Sequence, residues 1–153
     1  MEDHDRPLMI ALLFRAADAF SEEVFERVGE AGLADLRPGH GCVFGNIDPE
    51  GSRLTELARR ANMTKQTVGE VATDLERLGY AERVPDPSDG RAKIIRLTER
   101  GREALVVSRA IIEEVEGEWA ERFGADRVAA LRDALESVTA ERFGPVAATV
   151  PSS

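Results

Sequence analysis

Few residues in this sequence combine types and spacings that suit catalysis or metal binding. Cys42 is the only cysteine, and the only histidines are His4 and His40. A single cysteine excludes an intramolecular disulfide and a metal site built on two thiolates, and two histidines leave few zinc ligands. Cys42 and His40 lie two residues apart, but no third group completes a catalytic set, and no glycine loop suited to phosphate is present. The sequence therefore predicts no enzyme, no metal site and no cofactor.

Charge is distributed unevenly along the chain. The formal net charge is −9, and residues 1–52 and 103–153 are both strongly acidic. Residues 53–102 hold 11 basic and 8 acidic side chains, so this middle third is the only basic part. Phosphate binding needs local positive charge, and any contact with nucleic acid is expected here.

The middle third contains two short helices in quick succession. Apolar residues at helical spacing predict one helix over 54–61 and a second after Thr64, which is a candidate N-cap. Gly79 is placed to end the second helix. Lys65, Gln66 and Thr67 occupy its exposed start, and the pair has the proportions of a helix-turn-helix.

A β-hairpin is predicted after this helix pair. Residues 81–84 and 93–98 favour strands, and the stretch between them, 85–91, is rich in Pro, Asp and Gly and too polar for a core. A third short strand is expected at 52–54. Helix pair and hairpin together predict a winged helix, with 85–91 as its projecting wing.

Long amphipathic helices are predicted on both sides of the winged helix. Apolar stripes predict helices over 8–31, 40–47 and 99–123, and a last helix that ends at Gly144. The stripe residues are Leu13, Ala17, Phe20, Val24 and Val28 in the first helix, Leu105, Ser108, Ile112, Val115 and Trp119 in the long one, and Val128, Leu131, Leu135 and Val138 in the last. These stripes exceed what one small winged helix can bury. An isologous homodimer is therefore expected, and a monomeric bundle is the alternative.

Length and composition fit one globular unit. The chain has 153 residues, 42% of them hydrophobic and 32% charged. No apolar run reaches the ~18 residues of a membrane span, and the start Met-Glu-Asp-His-Asp is unlike a secretory signal. We expect no membrane partner and a cytoplasmic protein. The predicted fold is mainly α with a small β-hairpin wing, divided into an N-terminal dimerisation helix (1–36), a winged helix-turn-helix (37–101), C-terminal dimerisation helices (102–143) and a loose tail (144–153).

The order of these elements resembles the MarR family of bacterial transcriptional regulators over roughly residues 8–143. The segments that support the resemblance most specifically are Leu54-Thr55-Glu56-Leu57-Ala58, Met63-Thr64-Lys65-Gln66-Thr67-Val68, Leu75-Glu76-Arg77-Leu78-Gly79-Tyr80, Asp86-Pro87-Ser88-Asp89-Gly90-Arg91 and Arg96-Leu97-Thr98-Glu99-Arg100-Gly101. Each segment is weak alone, but their order and spacing make a strong combined signal.

The resemblance implies that the second helix of the motif enters the major groove. Thr64, Lys65, Gln66 and Thr67 would then lie near base edges and phosphates. A helix N-terminus offers unpaired N–H groups and positive dipole to phosphate, and Gln66 has the donor and acceptor that can read adenine. The alternative is that these residues are only a solvated helix surface.

In the wing, Asp89 and Arg91 match the family's Asp-x-Arg element. The resemblance implies that Arg91 reaches the minor groove while Asp89 orients the loop, which suits the enhanced negative potential of a narrow groove. An ordinary turn with a solvated arginine is the alternative. Four further cations are candidates for phosphate contacts and could equally be solvated charges: Arg53, Arg59, Arg60 and Lys93.

Glu70 departs from many relatives, which carry a basic or small polar residue at this part of the recognition helix. A carboxylate that faces phosphate is repelled. Glu70 therefore reads a cytosine amino group, pairs internally with Lys65 or Arg77, or points away from the DNA.

The resemblance also suggests a pocket for a small aromatic or anionic effector near His40, Cys42 and Phe44, with Arg15 or Trp119 as neighbours. Each residue has a plainer alternative. A buried free cysteine usually acts as a small hydrophobe and is redox-active only with a lowered pKa. His40, between two glycines, is more often a helix-start or core polar residue than a ligand group.

Two functions from different classes follow. The first is a homodimeric, ligand-responsive regulator, a repressor, that binds duplex DNA at a pseudo-palindromic operator with half-sites roughly 10 base pairs apart. The second is a winged-helix protein-interaction module that does not bind DNA, which the net charge of −9 and Glu70 favour. Salt dependence separates them, because contacts with phosphate weaken steeply with added salt.

Overall fold

A computed structural model describes residues 6–144 of the chain and consists of six α-helices and three short strands. The helices are α1 (Met9–Val28), α2 (Gly41–Phe44), α3 (Leu54–Ala61), α4 (Lys65–Arg77), α5 (Glu99–Phe123) and α6 (Ala125–Phe143). The strands are β1 (Ser52–Arg53), β2 (Ala81–Asp86) and β3 (Asp89–Leu97). A π-helical turn (Gly29–Leu33) follows α1 and a 3-10 turn (Pro38–His40) precedes α2. This architecture confirms the predicted mainly α fold with a winged helix.

The helix-turn-helix consists of α3 and α4. Asn62 ends α3 in the left-handed conformation, with φ of 51°, and the chain turns directly into α4. The hydroxyl oxygen of Thr64 accepts a hydrogen bond from the Thr67 N–H at 3.1 Å, so Thr64 is the N-cap as predicted. Gly79, with φ of 82°, follows the end of α4 and leads into β2.

The two wing strands come closer together in sequence than predicted, which leaves a shorter turn. The antiparallel sheet has the order β1-β3-β2, and β1 pairs Ser52 with Ile95 and Arg53 with Ile94. The predicted strands at 81–84 and 93–98 extend to 81–86 and 89–97, so only Pro87 and Ser88 remain as the hairpin turn. Backbone pairing between the strands therefore continues into a segment whose residue types favour a turn.

The core joins the winged helix to the helices around it. Leu57, Val68, Leu75 and Tyr80 of the winged helix are fully buried. Val28 of α1, Val43 of α2 and Val115 of α5 complete the same cluster. Tyr80 donates a hydrogen bond from its hydroxyl to Asp35 at 2.6 Å, which satisfies its only side-chain polar group in the core.

The flanking helices differ from the prediction in detail. The first helix ends at Val28 instead of near Ala31, because the chain widens into the π-helical turn and reverses at Gly32, where φ is 92°. The second helix spans only 41–44 of the predicted 40–47. In α5, Val115 of the predicted stripe is fully buried, but Ile112 is 36% exposed and Ile111 is buried instead, so the prediction is wrong at Ile112.

Both ends of the described chain pack on α5. Arg27 of α1 donates two hydrogen bonds to Glu118, and Phe20 stacks edge-on against Trp119. Arg132 of α6 pairs with Glu116 at 2.7 Å. However, the first half of α1 is exposed, and α6 buries no residue. Apart from Gly144, the predicted loose tail lies outside the described residues.

Across residues 6–144, no helix combines the length and the apolar character needed to cross a membrane.

Candidate functional site

The start of α4 presents a compact polar surface. Lys65 and Gln66 are exposed, and Thr67 is half-buried. Thr64 and Thr67 share a hydrogen bond between their hydroxyls at 2.8 Å, which holds both side chains at the helix end. Val68, fully buried directly behind them, anchors this turn to the core. The four residues predicted to contact DNA therefore lie together at the N-terminal end of α4, which the buried Val68 anchors to the core.

Glu70 pairs with neither of the basic residues considered for it. Its carboxylate accepts a weak hydrogen bond from the Gln66 side-chain amide at 3.4 Å. Arg77 pairs instead with Asp74 at 2.7 Å, and Lys65 has no ion pair with any described residue. The internal pairing with Lys65 or Arg77 is thus absent. Glu70 is exposed on the same surface as Gln66, so it can influence what Gln66 contacts.

Asp86 and Asp89 build the tip of the wing. The Asp89 carboxylate accepts a hydrogen bond from the Arg91 backbone N–H at 3.1 Å, which orients the chain at Arg91. Asp86 accepts hydrogen bonds from the Ser88 N–H at 2.9 Å and the Ser88 hydroxyl at 2.8 Å. These bonds and the Arg53 guanidinium lower the pKa of Asp86 to about 2. Sequence reasoning missed Asp86, although an aspartate two residues before a serine is a recognisable Asx-turn pattern.

Most arginines of the basic middle third are neutralised by nearby carboxylates. Seven form ion pairs: Arg53, Arg59, Arg60, Arg77, Arg83, Arg96 and Arg100. Arg59 and Arg60 both bind Glu56 and lower its pKa to about 2. Of the predicted phosphate contacts, Arg53, Arg59 and Arg60 therefore already have partners within the chain.

Four exposed cations in the described part of this segment have no ion pair: Lys65 at the start of α4, Arg91 and Lys93 on the wing, and Arg102 on α5, whose guanidinium donates to the Leu97 carbonyl at 2.8 Å. The first three belong to the two elements that the sequence predicts to contact DNA. The charge available to a polyanion is therefore concentrated at these places, although Lys+Arg exceeds Asp+Glu across the whole segment.

A cavity of about 600 Å³ lies between α1, the turn before α2, α5 and α6. Its walls are mainly apolar, and charged side chains line part of it. The apolar lining includes Val24, Phe25, Val28, Leu36, Phe44, Leu105 and Ile112, and the polar and charged lining is Arg37, His40, Ser108, Arg109, Glu113, Glu116, Arg132 and Glu136. The cavity lies where the sequence predicts an effector pocket.

Only two of the five predicted pocket residues line this cavity, namely His40 and Phe44. Cys42 is half-buried beside them but is not part of the lining, and burial raises the pKa of its thiol, which disfavours a reactive thiolate. Arg15 is exposed on the first half of α1. Trp119 packs against Phe20 and donates from its indole nitrogen to Glu23 at 3.2 Å.

His40 connects the cavity to the recognition helix. Its Nδ1 accepts a hydrogen bond from the Arg37 N–H at 3.0 Å, and its Nε2 donates to the Asp74 carboxylate of α4 at 2.7 Å. The residue is 5% exposed, and both ring nitrogens are used within the fold. Hydrogen bonds from Arg77 and His40 lower the pKa of Asp74. The sequence contained no signal for this contact, because the two residues are 34 positions apart.

These elements define a winged helix protein with a basic recognition surface and a separate cavity. Residues 34–92 match the family model described as MarR family. No curated protein sequence gives a significant match.

Solved structures are similar over most of the chain. The repressor CouR bound to a 23-mer DNA duplex is 25% identical, with a TM-score of 0.71 over 86% of this chain and 92% of that one. CouR from Rhodococcus jostii RHA1 bound to p-coumaroyl-CoA is 24% identical, with a TM-score of 0.68 over 93% and 92% of the two chains. Reduced MarR from E. coli is 20% identical, with a TM-score of 0.72 over 88% and 98%.

The family match and the fold confirm the resemblance identified from the sequence motifs. Residues 34–92 are thus similar to the winged helix of MarR-family proteins, and the solved structures with this fold include transcriptional regulators.

Proposed function

We propose that this protein is a homodimeric repressor that binds a pseudo-palindromic operator in duplex DNA. The observation that carries the proposal is the position of three of the four exposed cations without ion pairs in residues 53–102. Lys65 lies at the start of α4, and Arg91 and Lys93 lie on the wing, which are the parts of a winged helix that contact the major and minor grooves. The similar repressor CouR, bound to a 23-mer duplex, supports this assignment.

The residues at the start of α4 and on the wing have different roles in DNA binding. Lys65 and the free N–H groups at the start of α4 bind phosphate, and Gln66 reads a base edge beside Glu70. Arg91 enters the minor groove, and Lys93 contacts the backbone. Arg53 and Arg59, which are held by Asp86 and Glu56, contribute less to phosphate binding than their charge suggests.

Selection from a random-sequence duplex pool tests DNA binding. The wild type is expected to enrich a palindrome, and Arg91→Ala and Gln66→Ala are expected to lose or relax it. Arg96→Ala is the matched control, because Arg96 lies on the same hairpin but pairs with Glu82. Lys65→Ala should reduce the slope of log affinity against log salt by about 1. If the wild type enriches no sequence at low salt, the protein-interaction module is favoured instead.

The dimer is proposed from apolar side chains that the single chain leaves exposed. Those of 8–14 include Leu8 and Met9 at 74% and 76%, and those of α6 are Leu131, Leu135, Val138 and Phe143. Exposed apolar area of this extent is expected to be covered, and a second copy places the same two surfaces opposite each other.

Light scattering across a concentration series tests the dimer. The wild type is expected to have twice the chain mass, and Leu13→Asp combined with Leu135→Asp should shift it to the monomer. Met63→Asp is the control, since Met63 is comparably exposed but lies in the turn between α3 and α4. A wild type that is monomeric at all concentrations contradicts the proposal.

An effector site in the cavity completes the proposed function. The apolar walls suit an aromatic or aliphatic body. Of the lining arginines, Arg109 and Arg132 pair with Glu113 and Glu116, so Arg37 is the one expected to meet an anionic group. The Rhodococcus jostii relative, which is bound to p-coumaroyl-CoA, is compatible with this chemistry. Because His40 lines the cavity and binds Asp74 on α4, an occupant that displaces His40 would release the recognition helix from its position.

A further inference from the structure

Arg53 reaches from the end of β1 to the tip of the wing. Its Nε donates to the Asp86 carboxylate at 2.7 Å, and its terminal nitrogen lies 4.0 Å from the Asp89 carboxylate. The Asp86 side chain is only 10% exposed, because the turn at Ser88 and the guanidinium cover it. One carboxylate thus holds both the hairpin turn and the edge strand.

The wing tip needs such a contact because the sheet ends before it. β1 pairs with β3 only at Ser52 and Arg53, opposite Ile95 and Ile94. From Ile94 toward the hairpin turn, β2 is the only strand within residues 6–144 that neighbours β3. A two-stranded ribbon is marginally stable by itself and twists freely.

The register at the tip is also irregular. Pro85 pairs with Lys93, but the next residue, Asp86, pairs with Asp89. Residues 90–92 on β3 therefore have no regular partners on β2, and Arg91 is the middle one of them. Its position depends on side-chain contacts of the tip, and the Asp89 bond to its backbone N–H is one of these.

We propose that Arg53 and Asp86 are positioning residues for DNA binding, whose ion pair fixes the wing tip and thereby directs Arg91. The inference rests on the proposed function. It assigns Arg53 neither of the roles considered from the sequence, a phosphate contact or a solvated charge. It also gives a reason for an acidic residue in an element that approaches DNA, since Arg53 neutralises the carboxylate that closes the turn.

The direction in which Asp86→Asn changes DNA affinity distinguishes a positioning role from simple electrostatics. Asp86→Asn removes a negative charge close to the DNA, so long-range electrostatics predicts tighter binding. Loss of the ion pair loosens the tip, and positioning predicts weaker binding. We expect Asp86→Asn and Arg53→Ala each to weaken affinity for the selected duplex by about tenfold, the scale of one lost groove contact.

A double-mutant cycle tests whether the pair acts through Arg91. If it does, Asp86→Asn combined with Arg91→Ala binds no more weakly than Arg91→Ala alone. If Arg53 contacts phosphate directly, Arg53→Ala weakens binding additively with Arg91→Ala and lowers the salt slope by about 1. Glu82→Ala is the matched control, because it breaks the exposed Glu82–Arg96 pair lower on the same hairpin. Unchanged or tighter binding by Asp86→Asn overturns the proposal.

Amide hydrogen exchange of the free protein provides a measurement that does not depend on DNA. Asp86→Asn and Arg53→Ala should speed exchange at residues 88–93, while Glu82→Ala should not. Unchanged exchange in both variants overturns the inference, whatever the DNA result. If the wild type enriches no duplex but exchange is faster in both variants, the proposed function is wrong. The Arg53–Asp86 pair then still orders the wing tip.

Discussion

The winged helix of this protein buries its apolar side chains, whereas the helical ends leave theirs exposed. In the winged helix, Leu57, Val68, Leu75 and Tyr80 are fully buried. In the helical ends, defined here as residues 8–19 and 125–143, no residue is buried, and Phe14 is 67% exposed. Both regions have amphipathic patterns, yet only one completes its burial within the chain.

The comparison shows which part of the stability belongs to the single chain. Burial of apolar area is the main favourable term in folding, and it is roughly proportional to the area removed from water. The winged helix obtains this term from its own elements. In the proposed dimer, the helical ends obtain this term from the second copy, which links their stability to dimer formation.

Matched leucine truncations should give the largest difference between the regions. Leu57→Ala is expected to lower the free energy of unfolding by about 2–5 kcal/mol, because it opens a cavity in the core. Leu131→Ala, at a side chain 46% exposed, should cost about 0.5 kcal/mol or less where the protein is monomeric. Denaturant unfolding over a range of protein concentrations measures both. The loss of unfolding free energy caused by Leu131→Ala should increase with dimer formation. Equal losses for both variants in the monomer would contradict the difference between the two regions.

Alanine substitutions at two glycines of α5 test the same contrast between buried and exposed positions, with smaller expected changes in stability. A Cβ at Gly101 would lie 2.0 Å from the Tyr80 carbonyl oxygen, whereas one at Gly117 meets nothing within 4 Å. Gly101→Ala should therefore destabilise the protein by about 1–3 kcal/mol through overpacking. Gly117→Ala should stabilise it by about 0.5–1 kcal/mol, because alanine favours the helix. Thermal unfolding of both variants checks the opposite signs, and a stabilising Gly101→Ala would contradict the packing at Tyr80.

Acid should produce the smallest effect, and two carboxylates of the winged helix contribute to it. Glu56 and Asp86 have a pKa of about 2 in the folded protein, below the usual ~4 of these carboxyls. Their contribution to stability is present above the unfolded-state pKa and is lost as the pH falls from about 4 through about 2. Melting temperatures between pH 2 and pH 5 should fall less steeply for Asp86→Asn than for the wild type. Parallel profiles would exclude a contribution from Asp86.

The sequence predicted those features that local signals determine. Helical periodicity, the Thr64 cap and Gly79 predicted α4 and its ends, and alternating strands around a polar turn predicted the wing. These signals act over a few residues, so they can be recognised without tertiary structure. The boundaries of the strands were less accurate, because cross-strand pairing extends them into turn-forming residues.

Contacts between distant residues were not predictable. Arg53 with Asp86, His40 with Asp74 and Tyr80 with Asp35 are separated by 33, 34 and 45 positions. Charged residues have several possible partners in a sequence, and only packing selects one of them. For the same reason Cys42, Arg15 and Trp119 were grouped with a cavity that they do not line.

By itself, the sequence determined the type and order of the elements, the site of the helix cap and the basic character of the middle third, because these follow from residue type and short-range spacing. Tertiary structure decided which cations remain without an ion pair, which carboxylates hold the wing and the recognition helix, and which apolar faces stay exposed. These properties depend on distances between elements, and such distances are set only when the core packs.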